Sequence, residues 1–545
     1  MTPLLKFETQ TKELIDSLKS VCGTYGLGND GNEFKVITQV FLYKFLNDKF
    51  VYELKRIDEN IAKAENWEDA VKVLSSDDYE MLVMQMNEST ARIKPEHYIL
   101  TLFAKQNEAN FARIFDDTLI DIAKENSDIF SVLTDGGEKV VLFDRVSEFV
   151  TDKRDDFCRA LVNKLVNFSF EHIFHEKFDF YATIFEYLIK DYNTNSGGKY
   201  AEYFTPHAVA KIMAKCLVHK EVSNVTCYDP SAGSGTLLMN IAHEIGEDKC
   251  TIYSQDVSQK SSHLLRLNLI LNDLVHSIHN IIKGNTISHP YHVDNRTGEL
   301  QKFDYVVSNP PFKLDFSDYR NSLDTKENRE RFFGGVPKIP GKAKDKMEIY
   351  VLFIQHIMFS LNATGKAAVV VPTGFLTAQT GIAKKIREKL VDEKMLSGVV
   401  SMPSNIFANT GTNVSIVFID KQSNRKPVLI DASKLGETVK DGNNQRTVLT
   451  KEEEDKIIKT FNEQIVEDDF SMVVDYKEIK EKNYSFSAGQ YFDVKIEYVD
   501  ITEEEFNEKL SGFTERLEGL FSESNKLEKE IKKQLGGLRF AEDRA

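Results

Sequence analysis

The sequence predicts an α/β fold: a layered domain with a mostly parallel sheet, preceded by an all-helical N-terminal domain and followed by C-terminal helices. Two observations predict it. Between about residues 170 and 425, short β-rich runs such as CTIYSQD and GKAAVVVPTG alternate with helical stretches, and this alternation is typical of parallel sheets. On either side of that region, apolar residues recur with the spacing of helices alone. The predicted domains are residues 1–165, 166–480 and 481–545.

The N-terminal domain is predicted from its helical periodicity. In FKVITQVFLYKFLNDKF, residues 34–50, apolar side chains recur at helical spacing with polar residues between them. No residue pattern in this domain indicates chemistry, so we expect a helical interaction domain.

Composition limits the possible classes of protein. The chain has 545 residues and a net charge of −16, whereas a protein that grips DNA by itself usually presents a basic surface. Either nucleic acid is not the substrate, or another chain supplies most of the contact. The five cysteines show no C-x-x-C spacing, so we expect neither a zinc site nor disulfides. No apolar run is long enough to span a membrane, and no secretory signal is visible. A cytoplasmic location is therefore expected.

A glycine-rich turn follows the first predicted strand of the α/β region, in DPSAGSGTLL. Gly233 and Gly235 let the backbone approach a ligand closely at the start of a helix. Leu238 stands where the dinucleotide pattern has its third glycine, which argues against a nicotinamide dehydrogenase. Asp256 ends the next strand, about twenty residues later, where an acidic side chain accepts hydrogen bonds from ribose hydroxyls or caps the following helix. Together the two loops predict an adenosine-binding pocket.

Two further turns carry informative residues. Thr205 before Pro206 is typical of a helix N-terminus, with threonine as the cap. In DYVVSNPPFKLDF, a strand is predicted to end near Ser308, and two prolines then stiffen the turn between Asn309 and Phe312.

The segment 313–346 after this turn is locally basic, with nine Lys and Arg residues against six Asp and Glu. Its glycines and prolines predict a mobile loop, and a solvated surface loop without a function is an equally good interpretation.

The C-terminal residues predict a coiled-coil helix, because apolar residues recur there in steps of three and four. A helix packed on its own domain is the alternative. The stripe consists of Phe506, Leu510, Phe513, Leu517, Leu520, Leu527 and Ile531.

The order of these motifs resembles that of the modification subunits of type I restriction–modification systems, which are S-adenosylmethionine-dependent adenine-N6 DNA methyltransferases. The matching motifs are AEYFTP (201–206), DPSAGSG (229–235), SQD (254–256), SNPPF (308–312), VVVPTGFL (369–376) and SNIFANTGTNVSIVFIDK (404–421). The resemblance implies a Rossmann-like domain that binds S-adenosyl-L-methionine and needs no metal. The cofactor-binding residues that it implies are Glu202, Tyr203, Phe204, Thr205, Pro206, Asp229, Ser231, Gly233, Ser234, Gly235, Thr236, Asp256 and Asn285.

One of these positions departs from the pattern of the wider class. Many such enzymes carry an aspartate after the third strand, which contacts the adenine amino group of the cofactor, and this chain has Asn285 there. The amide oxygen of asparagine accepts the same hydrogen bond.

Asn309, Pro310 and Phe312 are the predicted catalytic residues. The exocyclic amine of adenine is a poor nucleophile because its lone pair is delocalised into the ring. The Asn309 side-chain oxygen and the Pro310 carbonyl would accept its two N–H groups and free the lone pair. Phe312 would stack on a base flipped out of the duplex. Methyl transfer is then a direct in-line displacement that depends on positioning.

In the family that the sequence resembles, a separate specificity subunit reads the DNA sequence, which agrees with the acidic balance of this chain. The resemblance therefore implies double-stranded DNA with an adenine target as substrate. It also implies assembly of two modification subunits with one specificity subunit, with or without a restriction subunit. Two alternatives stay open: another amine methyltransferase, acting on RNA adenine or protein glutamine, and a catalytically idle DNA-binding assembly subunit.

Overall fold

The computed structural model describes residues 3–28, 31–174, 187, 205–407, 413–441, 444–492 and 502–537. The chain divides into two compact units, Met1–Phe492 and Asp493–Ala545. The first unit contains the N-terminal helices and the sheet, and the second contains one long helix.

The N-terminal region is helical, as predicted. Helix α2 is buried on almost every side, so its polar residues need partners inside the protein. Lys44 Nζ and Asp48 Oδ1 lie 2.8 Å apart, and Asp48 Oδ2 accepts the backbone N–H of Phe170 at 2.9 Å. The helices are α1 (Pro3–Thr24), α2 (Gly31–Ile57), α3 (Glu59–Lys63), α4 (Trp67–Lys72), α5 (Ser76–Met84), α6 (Ile99–Ala104), α7 (Phe111–Glu125), α8 (Ser127–Phe130) and α9 (Arg154–Val166).

Two short strands add to these helices and join the N-terminal region to the sheet. Strand β1 (Val132–Thr134) pairs in parallel with β5 (Ile281–Lys283), and β2 (Lys139–Val140) pairs with β1 in the antiparallel direction. Strands of three and two residues are too short for an alternating pattern to indicate them. The boundary predicted at residue 165 therefore does not separate the helices from the sheet.

The main sheet contains eleven strands in the described part of the chain, in the order β13–β10–β8–β9–β7–β6–β3–β4–β5–β1–β2. Strands β7, β6, β3, β4, β5 and β1 are parallel, and β9 is antiparallel to both of its neighbours. β11 and β12 form a separate hairpin. The strands not yet given are β3 (Val225–Asp229), β4 (Cys250–Asp256), β6 (Phe303–Ser308), β7 (Leu361–Pro372), β8 (Leu396–Ser401), β9 (Val414–Asp420), β10 (Val428–Asp431), β11 (Glu437–Asp441), β12 (Asn444–Val448) and β13 (Ser471–Val473).

Helices cover both faces of the sheet, which explains the continuous apolar runs of its central strands. In β6, Tyr305 and Val307 belong to one hydrophobic core and Val306 belongs to the other. The helices of this region are α10 (His207–Leu217), α11 (Thr236–Ile245), α12 (Gln259–Leu271), α13 (Arg320–Leu323), α14 (Tyr350–Ser360), α15 (Gly381–Asp392), α16 (Lys451–Glu463) and α17 (Tyr476–Glu481).

The segment 313–346, called the insert below, is packed against the sheet domain. Its Phe316, Leu323 and Phe332 are almost fully buried and form a small core with Ile287 and Leu352. The prediction of a mobile loop is therefore wrong. The apolar residues of the insert follow neither helical nor strand spacing, so their common core could not be recognised from the sequence.

The second unit contains helix α18 (Glu503–Gly537). A reciprocal cap begins it: the Glu505 N–H donates to Thr502 Oγ1 at 3.2 Å, and the Thr502 N–H donates to the Glu505 carboxylate at 3.1 Å. At 1.5 Å per residue the helix is about 50 Å long. The seven residues of the predicted apolar stripe are 51–63% exposed. None of the helices in the described ranges combines the length and apolar character needed to cross a membrane.

Candidate active site at the carboxyl ends of the strands

Parallel strands end at one edge of the sheet and bring predicted site residues together. β3 lies between β6 and β4, so strands that are distant in sequence are neighbours here. Such a reversal of strand order opens a crevice in which ligands bind. Ser231 Oγ, after β3, lies 2.7 Å from Ser308 Oγ, at the end of β6. The glycine-rich loop (residues 230–235) and the NPPF turn (residues 309–312) are therefore neighbours at this edge of the sheet.

The glycine-rich loop is held in a fixed shape. Gly233 and Gly235 have φ angles of 53° and 86°, which glycine adopts without strain. A Cβ atom on Gly235 would overlap Leu265 Cδ1, so α12 closes directly on the loop. Asn268 Nδ2, also on α12, donates to the Ser234 carbonyl at 2.8 Å. The loop leads into the N-terminus of α11, where backbone N–H groups favour an electron-rich ligand.

Asp256 shapes this loop from the end of β4. Its Oδ2 accepts the Gly233 N–H at 3.0 Å, and its Oδ1 accepts the Ser258 N–H at 2.8 Å. The residue stays partly exposed, so its carboxylate retains lone pairs for a ligand hydroxyl. Asp256 does not cap α12; Ser258 does, because its Oγ accepts the Ser261 N–H at 3.2 Å. Contact with a ribose stays a prediction.

Asp229 lies behind the loop and is only 1% exposed. Its Oδ1 accepts the Ser231 N–H at 2.9 Å. Burial raises the pKa of Asp229 to about 8, and the neighbouring charge of Asp256 adds to the rise. The carboxyl group supports the loop from the protein side, and its predicted contact with a cofactor stays a prediction.

Asn285 follows β5, and its side-chain oxygen is already engaged. Oδ1 accepts the N–H groups of Ile287 at 3.0 Å and Ser288 at 3.2 Å, as in an Asx turn. Thr286 Oγ1 donates to the Pro230 carbonyl at 2.6 Å and ties this turn to the glycine-rich loop. The predicted bond from Asn285 to an adenine amino group would compete with two backbone donors.

Thr205 orients the side chain of Asn309. Asn309 Nδ2 donates to Thr205 Oγ1 at 3.1 Å, so the amide oxygen is directed elsewhere. Within the described ranges, no group donates a hydrogen bond to Asn309 Oδ1 or to the Pro310 carbonyl. Thr205 does not cap the following helix: Pro206 occupies the N-cap position of α10, without a side-chain hydrogen bond. The buried threonine hydroxyl is turned toward the NPPF turn instead.

Phe312 is half-buried and packs against two hydrophobic cores. Its ring centroid lies 6.3 Å from that of Tyr350, with the planes at 76°. Tyr350 in turn contacts Phe375 edge-to-face, at 6.2 Å and 82°. Such edge-to-face contacts hold an aromatic ring in one orientation. Phe312 is therefore held in one orientation, while the residue stays partly exposed.

The other predicted residues fall into two groups. Glu202, Tyr203 and Phe204 lie outside the described residues. Ser234 and Thr236 are buried, with their hydroxyl oxygens 3.1 Å apart, so they stabilise the glycine-rich loop from inside. The described parts of the chain contain no group of three or more His, Cys, Asp or Glu side chains placed to hold a metal ion.

Arg331 is a residue of this region that the sequence did not indicate. It is buried in the insert and donates to the carbonyls of Thr286 at 2.8 Å and Ile287 at 2.9 Å. Its Nε donates to His356 Nδ1 at 3.0 Å. Burial lowers the pKa of Arg331 to about 10. Its partners belong to other elements of the chain, so no local pattern could have identified it.

Comparisons with known proteins agree with this geometry. Residues 176–499 match the N-6 DNA methylase family. The chain is 24% identical to the type I restriction enzyme MpnII methylase subunit of Mycoplasma pneumoniae over 533 residues, which is 92% of this chain and 93% of the relative. It is 27% identical to the MjaIX methylase subunit of Methanocaldococcus jannaschii over 397 residues, 70% of this chain and 67% of the relative.

Among solved structures, the type I restriction–modification methyltransferase subunit from Streptococcus thermophilus superimposes with a TM-score of 0.69 at 21% identity, covering 89% of this chain and 100% of that one. The two proteins share a fold. Because the family match spans more than half of the sequence and includes both the glycine-rich loop and the NPPF turn, this chain belongs to the N-6 DNA methylase family.

Proposed function

We propose that this chain transfers a methyl group from S-adenosyl-L-methionine to N6 of an adenine flipped out of duplex DNA, as the modification subunit of a type I restriction–modification complex. The observation that carries the proposal is the hydrogen bond from Asn309 Nδ2 to Thr205 Oγ1. It fixes which end of the amide is presented to the site. A catalytic asparagine must present its oxygen, because the adenine amine has two N–H groups to donate.

Two acceptors then act on the amine together. Asn309 Oδ1 and the Pro310 carbonyl each accept one N–H, which draws the nitrogen toward a tetrahedral shape and makes its lone pair available. Neither acceptor carries a net charge that a proton could remove. The two prolines fix the turn before substrate arrives, so little reorganisation is needed during the reaction.

Phe312 supplies the surface for the extruded base. Flipping a base costs a few kcal/mol, and stacking on an aromatic ring offsets about 1–3 kcal/mol of it. The edge-to-face contact with Tyr350 supports this use, because it fixes the ring of a residue that stays partly exposed.

The residues of the glycine-rich loop fit an adenosine-containing cofactor. Gly233 and Gly235 give the loop the positive φ angles with which it enters α11, and Asp256 is a partly exposed residue at the neighbouring strand end. Bound S-adenosyl-L-methionine supplies an electrophilic methyl group. Asp256 would bind ribose hydroxyls, and the loop would position the cofactor against Asn309. The cofactor-binding roles of Glu202, Tyr203 and Phe204 remain part of this proposal, whereas Asn285 is proposed to shape the turn after β5.

The proposed partners are a specificity subunit and a second copy of this chain, with or without a restriction subunit, acting on DNA in the cytoplasm. The exposed stripe of α18 supports a helical partner, since helices in proteins gain most of their stability by packing an apolar face. Leu517→Glu with Leu520→Glu should prevent assembly with the specificity subunit, measured by size-exclusion chromatography with light scattering. Glu515→Gln, off the stripe, is the control. Normal assembly of the double variant would contradict this use of the stripe.

The reaction itself is tested with tritiated S-adenosyl-L-methionine and three acceptors: DNA, RNA and protein. The complex should label DNA alone, and hydrolysis of that DNA should release N6-methyladenine. Label in RNA or in protein glutamine would instead support the alternative that the chain is an amine methyltransferase acting on that substrate. Cofactor binding without transfer to any acceptor would support an idle assembly subunit.

A further inference from the structure

The insert is fixed to the sheet domain beside the NPPF turn. Arg331 bonds it to the turn after β5 and to His356 of α14. The neighbouring Gln355 accepts the Gly334 N–H at 2.7 Å and donates to the Gly335 carbonyl at 3.2 Å. With the buried apolar residues described above, these bonds give the backbone of the insert a defined position.

The C-terminal part of the insert carries an excess of positive charge, and Asp315 is close enough to Lys344 for that lysine to help lower its pKa. Between residues 332 and 346 there are four lysines and one acidic residue, Asp345. All four lysines are exposed, as is Lys313, and none of the five forms an ion pair with a described residue. In a chain with a net charge of −16, this is a local reversal of sign. The four lysines are Lys338, Lys342, Lys344 and Lys346.

The backbone places this charge next to the proposed site of the adenine. Lys313 directly follows Phe312, and the Leu314 N–H donates to the Met347 carbonyl at 3.0 Å. Lys344–Lys346 is a 3₁₀ turn that ends immediately before Met347. The backbone at Lys313 and Leu314 therefore lies beside the backbone at Lys346 and Met347, where the chain leaves the NPPF turn.

We infer that the insert is a phosphate-binding platform, on which Lys338, Lys342, Lys344 and Lys346 hold the DNA backbone that flanks the flipped adenine. The inference rests on the proposed function and assigns a role to a segment outside the catalytic turn. A nucleotide is extruded by rotation about its backbone, so the neighbouring phosphates must be held in place. Lysines on a fixed backbone do so without reading bases, which leaves sequence recognition to another chain.

An acidic protein surface is the competing partner for these lysines. DNA is favoured because Lys313, Lys344 and Lys346 lie on the backbone beside the turn that would hold a DNA base. It is also favoured because the insert contains no exposed aromatic anchor of the kind that dominates protein interfaces.

The test compares two variants of the full chain, each in complex with its specificity subunit. One carries Lys338→Gln, Lys342→Gln, Lys344→Gln and Lys346→Gln. The control carries Lys220→Gln, Lys394→Gln, Lys451→Gln and Lys459→Gln, which removes four exposed lysines outside the insert. Binding to a mixed-sequence duplex is followed by fluorescence anisotropy as the salt concentration is varied. Each lost phosphate contact lowers the slope of log affinity against log salt by about 0.9.

The insert variant should lose about two to four units of slope, whereas the control should keep the wild-type slope. Equal slopes in the insert variant and the wild type would overturn the inference. So would an unchanged slope accompanied by loss of a protein subunit from the complex, which would assign the lysines to the protein partner. Because the slope is measured without catalysis, it is separate from the proposed function: DNA binding without methylation by the wild type would contradict only the latter.

Discussion

Two turns at the same sheet edge each present an asparagine, and the structure uses the two side chains in opposite ways. The amide nitrogen of Asn309 donates a hydrogen bond to Thr205 Oγ1, and its amide oxygen accepts none from a described group. The amide oxygen of Asn285 accepts hydrogen bonds from the backbone N–H groups of Ile287 and Ser288. The residue type is the same, and the neighbouring groups decide its role. The side-chain oxygen is therefore available to a ligand in the first turn and engaged by the backbone in the second.

The largest expected effect comes from removing the oxygen of the first asparagine. Asn309→Ala should lower the rate of methyl transfer by about 10²–10³ or more, the usual loss for a preorganised polar group at a reacting centre. The affinity for S-adenosyl-L-methionine should stay close to that of the wild type. Tritium transfer and calorimetry measure the two quantities. Near wild-type transfer would remove the NPPF turn from the mechanism.

Thr205 offers a sharper test of how Asn309 is oriented. Thr205→Val keeps the shape of the side chain but leaves the Asn309 nitrogen without its acceptor, a loss of about 1–3 kcal/mol. We expect kcat to fall about ten- to hundredfold and KM for the cofactor to change little. Thr205→Ser should restore kcat. A rise in cofactor KM at constant kcat would show that Thr205 binds the cofactor instead.

A variant of Asp256 tests the proposed cofactor loop independently of the proposed catalytic turn. Asp256→Ala should weaken cofactor binding by about 1–3 kcal/mol, because the Gly233 N–H and any bound hydroxyls lose their acceptor. Calorimetry measures the affinity, and Asn309→Ala serves as the matched control at the next site. Unchanged affinity would exclude Asp256 from the pocket.

Asn285→Ala should behave unlike Asn309→Ala. Loss of an Asx-type acceptor for two backbone N–H groups should lower the free energy of unfolding by about 1 kcal/mol, with transfer near the wild-type rate. Asn285→Asp, which retains the acceptor, should be as stable as the wild type. Denaturant unfolding and tritium transfer provide the readings. If Asn285→Ala lowered the rate of methyl transfer as much as Asn309→Ala does, the purely structural role of Asn285 would be contradicted.

The buried Asp229 makes the stability of the protein depend on pH. Its pKa of about 8 lies above the ordinary value of 3.8, so the folded state binds the proton more tightly than the unfolded state. This group's contribution to stability is complete below pH 4 and is lost as the pH rises toward 8. In cofactor-free protein, Asp229→Asn should therefore gain stability relative to the wild type between about pH 5 and 8. Parallel stability curves would contradict the raised pKa.

Local chemistry explains why much of the site was predictable. A strand ends where Pro310 removes a donor, and a loop turns where Gly233 and Gly235 adopt positive φ angles. Such effects depend on neighbours in sequence, so the strand ends, the glycine-rich loop and the NPPF turn could be located correctly. The same reasoning offered Asp256 as a possible cap of α12, since both Asp256 and Ser258 suit that position by type, and only the backbone geometry selects Ser258.

The sequence by itself determined the alternation of strands and helices, the positions of the turns and the residue types that face the site, because these follow from short-range sterics and hydrophobic pattern. The tertiary structure decided which turns meet. Thr205 and Asn309 are 104 positions apart, and Arg331 and Thr286 are 45 apart. They are brought together by a strand order that departs from chain order and by a core that the insert shares with the sheet. Contacts of this kind form only when distant apolar surfaces pack, so their partners are fixed by the whole fold and by no single stretch of sequence.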